Sequence, residues 1–272
     1  MVVQASRLAA AQVDALAQLA TVAGGLAIAD YAFLYDETRH LLTIGFNTEE
    51  HRRDAGYYDL LASEARLTVF VAIAQGALPQ EAWFAMGRSL TGSGGEPLLL
   101  SWSGSMFEYL MPMLVMPSYA NTLLDHSCRA AVQRQIEYGA QLGLPWGISE
   151  SGYNAVDASF SYQYRAFGVP GLGLKRGLAA DQVIAPYASA LALMVAPRAA
   201  CENLQALAQR GMLGNCGFYE ALDCTPARQR PGQSETVLYS FMAHHQGMSL
   251  MALAHRLLDA PMQRRFAADP LS

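Results

Sequence analysis

Long segments without helix breakers constrain the fold of this chain more than any other feature. Residues 6–22 are rich in Ala, Leu and Val, and they predict a helix that ends at Gly24-Gly25. Helical patterns follow over 58–75, 79–88, 105–116 with a kink at Pro112, 118–142, 182–196, 198–210 and 235–259. Many helices and few strands indicate an all-α architecture. Helical hairpins joined by long loops favour an α/α barrel with a pocket at one end.

Strand signals are sparse. Residues 27–46 contain two apolar runs around the polar segment Asp36–Arg39, which predicts a small β-hairpin near the N-terminus. No second strand pair is clear. Residues 91–95 and most of 212–234 are expected to be loops, and the aromatic, Gly-rich segment 157–177 is expected to be irregular.

Composition bounds the class of protein. The 272 residues are 52% hydrophobic and 15% charged, which is typical of a folded globular chain and fits one large domain or two small ones. The net charge of −5 without a basic block argues against nucleic acid as a partner. No apolar run approaches the ~20 residues of a membrane span, so no direct membrane insertion is expected. Four cysteines without a CxxC spacing indicate reduced thiols and a cytoplasmic setting.

The segment Trp146–Asn154 places one carboxylate, Glu150, among small residues with an aromatic residue on either side. Small residues let a ligand approach the backbone, and aromatic faces suit a sugar ring. A carboxyl group in this setting can transfer a proton or attack a sugar carbon. The alternative is a surface turn with a solvated glutamate.

Glu64 is the second candidate. In a helix from Tyr58 it shares one face with Leu60, Leu67 and Val71, and a carboxylate on an apolar stripe is costly unless it is paired or functional. Burial would raise its pKa, as a general acid requires. The alternative is an ion pair with Arg66 or Arg88. Asp59, at the start of the same helix, is either a first-turn anion or an acceptor for a hydroxyl.

Glu108 is the third candidate. The spacing of Ser105 and Glu108 matches a capping box, and this structural role explains Glu108 without any substrate. Trp102 nearby could stack on a sugar, although a tryptophan more often lies in the core.

His244-His245-Gln246 lies inside the last predicted helix. Adjacent helical residues point about 100° apart, so the two histidines do not face one metal. We therefore expect no metal and no cofactor, with one histidine free to bind a ligand and the other packed in the core.

Four segments resemble the glucoamylase-like domain of bacterial cyclic β-1,2-glucan synthases. They are Tyr57–Arg66, Ser101–Pro112, Trp146–Asn154 and Met242–Ser249, and they occur in the same order in this chain. The resemblance implies that residues 1–272 form a single domain, an α/α barrel that is incomplete here. It also implies that this domain is a soluble cytoplasmic part of a larger inner-membrane synthase. The other domains of that synthase would be its partners, and a β-glucan oligosaccharide its ligand.

The resemblance also implies a carboxylic catalytic pair that closes linear β-1,2-glucan into rings by transglycosylation. By motif position the roles fall to Glu64 and Glu150, with Glu108 third. Ring closure breaks and makes β bonds, so a retaining double displacement is expected, with Glu150 as nucleophile and Glu64 as proton donor. A hydrolase acting inside glucan chains and a non-catalytic glycan-binding module remain as alternatives. The residues expected to contact sugar are Tyr58, Asp59, Arg66, Trp102, Tyr153, Asn154, Tyr162, His244, His245 and Gln246.

Overall fold

A computed structural model describes residues 2–93 and 96–270 of the chain. The helices in these ranges are α1 (Val2–Ala27), α2 (Ala65–Ala74), α3 (Glu81–Ala85), α4 (Met106–Leu110), α5 (Leu123–Leu142), α6 (Pro186–Leu191), α7 (Pro197–Gln209), α8 (Ala243–Leu257) and α9 (Pro261–Ala267). The strands are β1 (Tyr35–Asp36), β2 (Leu41–Leu42), β3 (Phe46–Asn47), β4 (Arg52–Arg53), β5 (Leu90–Ser93), β6 (Glu96–Leu99), β7 (Ser151–Val156), β8 (Tyr162–Arg165), β9 (Val183–Ile184), β10 (Leu213–Gly214), β11 (Gly217–Phe218), β12 (Ala221–Asp223) and β13 (Thr236–Leu238).

The first helix is longer than the sequence predicts. It runs through Gly24 and Gly25, where the pattern placed its end, and none of its residues is buried. The exposed helix makes no tertiary contact that would force a turn at the glycine pair, and a glycine in a helix costs only about 1 kcal/mol relative to alanine.

The predicted hairpin near the N-terminus is confirmed, with Tyr35 opposite Leu42 and Asp36 opposite Leu41. The expectation of a single strand pair is wrong. β5 pairs with β6 where a loop was expected at 91–95, although Gly94 and Gly95 lie outside the described residues. β7 pairs with β8 across the segment expected to be irregular. β9, β12 and β13 form a three-stranded sheet. These strands are 2 to 6 residues long, too short for an alternating pattern to be read with certainty.

Several helix starts also differ from prediction. α5 begins at Leu123 rather than at 118, and the helix predicted from 182 begins as strand β9 and becomes α6 only at Pro186. α2 begins at Ala65 rather than near Tyr58, so the stripe joining Leu60 to Glu64 does not exist. The last predicted helix, 235–259, instead begins as strand β13 and becomes α8 only at Ala243. The Pro112 kink is present as a change from α-helix to a 3-10 turn over Met111–Leu114.

The core lies where α6 packs against α4, α7 and α8. All six residues of α6 are buried, and three of them are Ala or Ser, which allows neighbouring elements to approach from every side. A second small cluster joins Leu207 of α7 to Leu222 of β12. This core supports the loops before α2, α4 and β7, which contain or adjoin the three candidate glutamates. Within residues 2–93 and 96–270, no helix has the length and hydropathy needed to cross a bilayer.

Candidate active site

One cleft of about 520 Å³ collects the three candidate glutamates, and we call it the carboxylate cleft. Its volume falls within the usual range for small-molecule sites. The acidic residues that line it are Asp59, Glu64, Glu108 and Glu150. The aromatic residues that line it are Tyr57, Tyr58, Trp102 and Phe107. Acidic side chains from three distant parts of the chain therefore meet in a cavity that also offers ring faces.

Glu150 lies immediately before β7, and a hydrogen bond from Tyr187 holds its backbone in place. The Tyr187 hydroxyl donates to the Glu150 carbonyl at 3.0 Å and also lies 2.7 Å from Ser149 Oγ. Burial raises the pKa of the Glu150 carboxyl to about 7, and the negative charges of Glu64 and Glu108 add to the shift. A carboxyl group with this pKa can carry a proton at neutral pH, as an acid catalyst must.

Glu64 is the residue before the first turn of α2, not a residue on a helix face. Burial is the main cause that raises the pKa of its carboxyl, and the charge of Glu108 adds to it. The Ser63 hydroxyl donates to its Oε2 at 3.2 Å, which acts in the opposite direction. The sequence left open an ion pair with Arg66 or Arg88. The guanidinium of Arg88 instead donates to backbone carbonyls, as does that of Arg66, which is 3% exposed.

Glu108 forms the capping box that its spacing with Ser105 predicts. Its Oε1 accepts from the amides of Trp102 and Ser103 at 3.0 and 2.9 Å. Its Oε2 accepts from the Ser105 amide and from the hydroxyls of Ser101, Ser103 and Ser105 at 2.6 to 3.0 Å. This donor set suits an ionised carboxylate, whose oxygens only accept. Glu108 thus organises the Trp102 loop and places a fixed negative charge beside the other two glutamates.

Trp102 and Tyr58 supply the open aromatic surfaces of the cleft. Trp102 is 61% exposed, so it does not lie in the core, where tryptophan residues are more often found. Tyr58 is half-buried, and burial followed by the charges of Glu64 and Glu150 raises the pKa of its hydroxyl. Asp59 is exposed and lines the cleft, but it is not in the first turn of α2 as predicted, because that helix begins six residues later. Trp146, one of the aromatics that flank Glu150 in sequence, is buried in the core.

Several residues expected to contact sugar have other partners. Arg66 is buried beneath the cleft and donates to the carbonyls of Ser63, Glu108 and Tyr109. The Asn154 side chain donates to the Arg228 carbonyl at 2.7 Å. The Tyr153 ring packs edge-on against Phe167. Tyr162 is half-buried against the core.

The histidine motif borders a different cavity. His245 and Gln246 line a pocket of about 260 Å³ between α6 and α8, together with Tyr187 and Glu220. Gln246 donates to the Phe218 carbonyl. Burial lowers the pKa of His244, and the neighbouring His245 lowers it further. The expectation that one histidine packs in the core fits His245, which is 2% exposed.

Sequence reasoning did not single out Tyr164, Tyr187 or Glu220, which connect the histidine motif to the Glu150 backbone. Glu220 lies in the stretch expected to be a loop, and nothing in its neighbours marks a buried carboxylate. Tyr164 belongs to the aromatic run at 157–177, where alternation with Tyr162 was the one available signal. Among residues 2–93 and 96–270, no group of three or more His, Cys, Asp or Glu side chains is arranged to hold a metal ion.

Comparison with known proteins decides the family. Residues 56–268 match the glycoamylase family model, described as "Putative glucoamylase". The chain belongs to this family. It is 48% identical over 242 residues to the cyclic β-(1,2)-glucan synthase NdvB of Rhizobium meliloti (strain 1021), a match that covers 89% of this chain and 8% of that protein. The chain thus spans a small fraction of this relative's length.

Solved structures of similar fold include two endo-β-1,2-glucanases. The enzyme from Chitinophaga pinensis, in complex with sophorotriose and glucose, matches with a TM-score of 0.62 at 16% identity over 89% of this chain and 59% of its own. The enzyme from Talaromyces funiculosus, a mutant bound to β-1,2-glucan, matches with a TM-score of 0.68 at 14% identity over 88% of this chain and 51% of its own. The predicted all-α fold of the α/α-barrel type is confirmed, although the described residues do not close a ring.

Proposed function

We propose that this glucoamylase-family chain acts on β-1,2-glucan and closes or transfers glucan chains by retaining transglycosylation in the carboxylate cleft. The observation that carries the proposal is the meeting of Glu64 and Glu150 in one cleft, both with raised pKa and with Trp102 open beside them. The choice of substrate is supported by the synthase relative and by the β-1,2-glucanases of the same fold.

Glu64 and Glu150 form the catalytic pair of this proposal, and the direction of their pKa shifts supports a division of roles. The pKa of Glu150 rises to about 7, so Glu150 holds a proton at neutral pH and protonates the leaving sugar oxygen. Glu64 then attacks the sugar carbon and forms a glycosyl ester. A hydroxyl of the acceptor sugar displaces Glu64 from that carbon and gives its proton to Glu150, which the first step left ionised. This reverses the assignment expected from the sequence. Glu108 is engaged by its serine donors, so we leave it out of the bond-making steps.

Tyr58, Asp59 and Trp102 contact the substrate in this proposal, because they line the cleft. We also propose that the chain works as the glucan-transferring domain of a larger synthase, on the cytoplasmic side of the membrane. The match that covers 8% of the synthase relative supports a place within a larger synthase, and the other domains of that synthase would be the partners.

Linear β-1,2-glucan tests the proposal directly. Incubation with the chain should yield products that lack a reducing end, detected by mass spectrometry as a loss of one water. Glu64→Gln and Glu150→Gln should each lower the rate by 1000-fold or more, on the order of 4 kcal/mol. Glu202→Gln, which changes an exposed glutamate of α7 that does not line the cleft, is the matched control. Full activity of both glutamine variants would overturn the proposal.

Azide separates the two roles. In a Glu64→Ala variant, azide replaces the missing nucleophile and should give the α-glycosyl azide. In a Glu150→Ala variant, azide attacks the intermediate on Glu64 and should give the β-glycosyl azide. The opposite pattern would return the roles to the assignment expected from the sequence.

A hydrolase is the second candidate, because the fold matches include endo-β-1,2-glucanases. Shortened chains with new reducing ends, and no rings, would support it. A non-catalytic glycan-binding module would bind the glucan and leave it intact, and Glu64→Gln and Glu150→Gln would then leave the activity of the parent synthase unchanged.

A further inference from the structure

A buried carboxylate–histidine pair lies behind Glu150, and the proposed reaction uses neither member. Glu220 and His245 are each 2% exposed, and His245 Nδ1 lies 2.9 Å from Glu220 Oε2. The Tyr187 ring stacks on the His245 ring with centroids 3.8 Å apart. Buried polar groups are costly unless each has a partner, so the direction of every hydrogen bond here is constrained.

The partners of Glu220 fix the orientation of the imidazole. Glu220 Oε1 accepts from the Gly152 amide at 3.0 Å, and an ionised carboxylate can only accept at Oε2 as well. The proton of a neutral His245 ring therefore lies on Nδ1 and points at Glu220. Nε2 is left with its lone pair, and it lies 3.3 Å from the Tyr164 hydroxyl. Tyr164 must donate its proton inward, so its oxygen offers only lone pairs to any further partner.

Tyr164 stands on the side of the hairpin that leads to the carboxylate cleft. It pairs with Gly152, and a Cβ on Gly152 would lie 3.3 Å from Glu220 Cγ, so this face of the hairpin looks toward Glu220. Glu150 lies two residues before Gly152, and Ala166 lies two residues after Tyr164. Both line the cleft. Tyr164 remains 41% exposed. Tyr187, whose ring stacks on the same His245 ring, donates to the Glu150 carbonyl, so Tyr164 and Glu150 are both held beside this pair of rings. Burial raises the pKa of the Tyr164 hydroxyl, and the charge of Glu150 raises it further.

We propose that Glu220 and His245 are positioning residues that turn the Tyr164 hydroxyl into a hydrogen-bond acceptor for a sugar hydroxyl beside Glu150. The inference rests on the proposed function, because the ligand is a glucan hydroxyl. Tyr164 is then a specificity residue, since it accepts from a hydroxyl and cannot donate to an ether oxygen. The same carboxylate holds the Gly152 amide, which links the orientation of Tyr164 to the backbone that carries Glu150.

We call the hydrogen bonds from Glu220 through His245 to Tyr164 the relay. Two variants change the relay without changing its shape. Tyr164→Phe removes the acceptor and should raise KM for β-1,2-glucan roughly 3- to 10-fold with kcat nearly unchanged, as expected for one lost hydrogen bond. Glu220→Gln reverses the relay. Its amide oxygen keeps the Gly152 contact, its NH2 donates to Nδ1, the ring proton moves to Nε2, and Tyr164 must present its proton to the sugar.

Non-additivity distinguishes a relay from general destabilisation. Glu220→Gln should raise KM at least as much as Tyr164→Phe, and the double variant should be no worse than Glu220→Gln alone. Tyr119→Phe, which removes an exposed phenol outside the cleft, is the matched control and should change nothing. An unchanged KM in Tyr164→Phe, or fully additive effects, would overturn the relay.

Nitrogen-15 spectra of the His245 ring report the relay without any activity. The chain should show a protonated Nδ1 and a bare Nε2, and Glu220→Gln should exchange the two states. A ring protonated on Nε2 in the unmodified chain contradicts the inference. If the chain neither cyclises nor cleaves glucan, the proposed function fails; glucan affinity measured by calorimetry for Tyr164→Phe then still decides the contact with sugar.

Discussion

At the scale of single residues, the carboxylate cleft shows a balance between function and stability. Glu150 and Glu64 are held close to the charge of Glu108 and partly away from water, and both conditions disfavour ionisation. Glu108 has the opposite surroundings, because serine hydroxyls and backbone amides surround its carboxylate. Three residues of one type thus acquire different chemistry from their partners.

This difference predicts a pH-dependent cost for Glu150. Its carboxyl titrates near 7 in the folded chain and near 4.5 when unperturbed, so the folded state binds the extra proton between these values. The contribution of Glu150 to the free energy of unfolding therefore falls as pH rises from 4.5 to 7 and stays lower above 7. Glu150→Gln should match the unmodified chain in urea unfolding at pH 4.5 and exceed it at pH 8 by up to about 3 kcal/mol.

The control is Glu202→Gln, because Glu202 is exposed on α7 and does not line the cleft, and the difference between the two variants isolates the effect of the Glu150 site. Equal stability of the unmodified chain and Glu150→Gln at pH 8 would show that Glu150 is not held in a charge-disfavouring site.

At the scale of elements, the Trp102 loop is fixed by close backbone approach as well as by the capping box. The segment after β8 runs against it, with the Val169 amide donating to the Gly104 carbonyl and the Lys175 amide to the Trp102 carbonyl. A Cβ on Gly168 would lie 1.8 Å from the Ser103 carbonyl oxygen, which no L side chain can tolerate without movement of the backbone. Glycine at 168 is therefore a requirement of this contact.

Gly168→Ala should consequently destabilise the chain by about 3 kcal/mol or more, because the obstacle is backbone rather than a movable side chain. Thermal unfolding followed by circular dichroism measures the loss. Gly92→Ala is the matched control, as a Cβ there meets no atom within 4 Å, and it should change the free energy of unfolding by less than about 0.5 kcal/mol. Similar losses in both variants would contradict the close approach.

At the scale of the whole molecule, α1 and the rest of the described chain differ in how they are stabilised. The helices and sheets that support the cleft share a continuous core that includes Leu99, Tyr109, Leu172 and Leu191. α1 has no buried residue, and the Gln75 side chain reaches its last carbonyl at Ala27. Its apolar side chains face water, a state that favours association with other surfaces.

Deletion of residues 2–26 should therefore change the free energy of unfolding by less than about 0.5 kcal/mol and leave glucan turnover intact. The shortened chain should also self-associate less in sedimentation experiments, because exposed leucines and valines are removed. Leu172→Ala, a change in the continuous core, is the contrasting variant and should cost about 2–5 kcal/mol. A large loss of stability in the deletion would show that α1 supports the core.

The sequence determines the features that depend on neighbours within a few residues. Ser105 and Glu108 form their capping box because they are three residues apart, which places them close together in the first turn of a helix. The helical segments follow from local apolar patterns, although α2 and α8 begin later than those patterns predict, since short strands and turns beside them carry little periodic signal. The family resemblance of four ordered motifs is likewise a property of the chain as written.

Tertiary structure decided the rest. The meeting of Glu64 with Glu150, the pKa of about 7, and the Glu220–His245 pair all depend on distances between residues far apart in the chain. Desolvation and Coulomb interactions act through space, and a linear sequence does not contain those separations. The residue types beside each glutamate in the sequence thus identified the candidate carboxylates. Only the packing of the folded chain established which groups surround each of them.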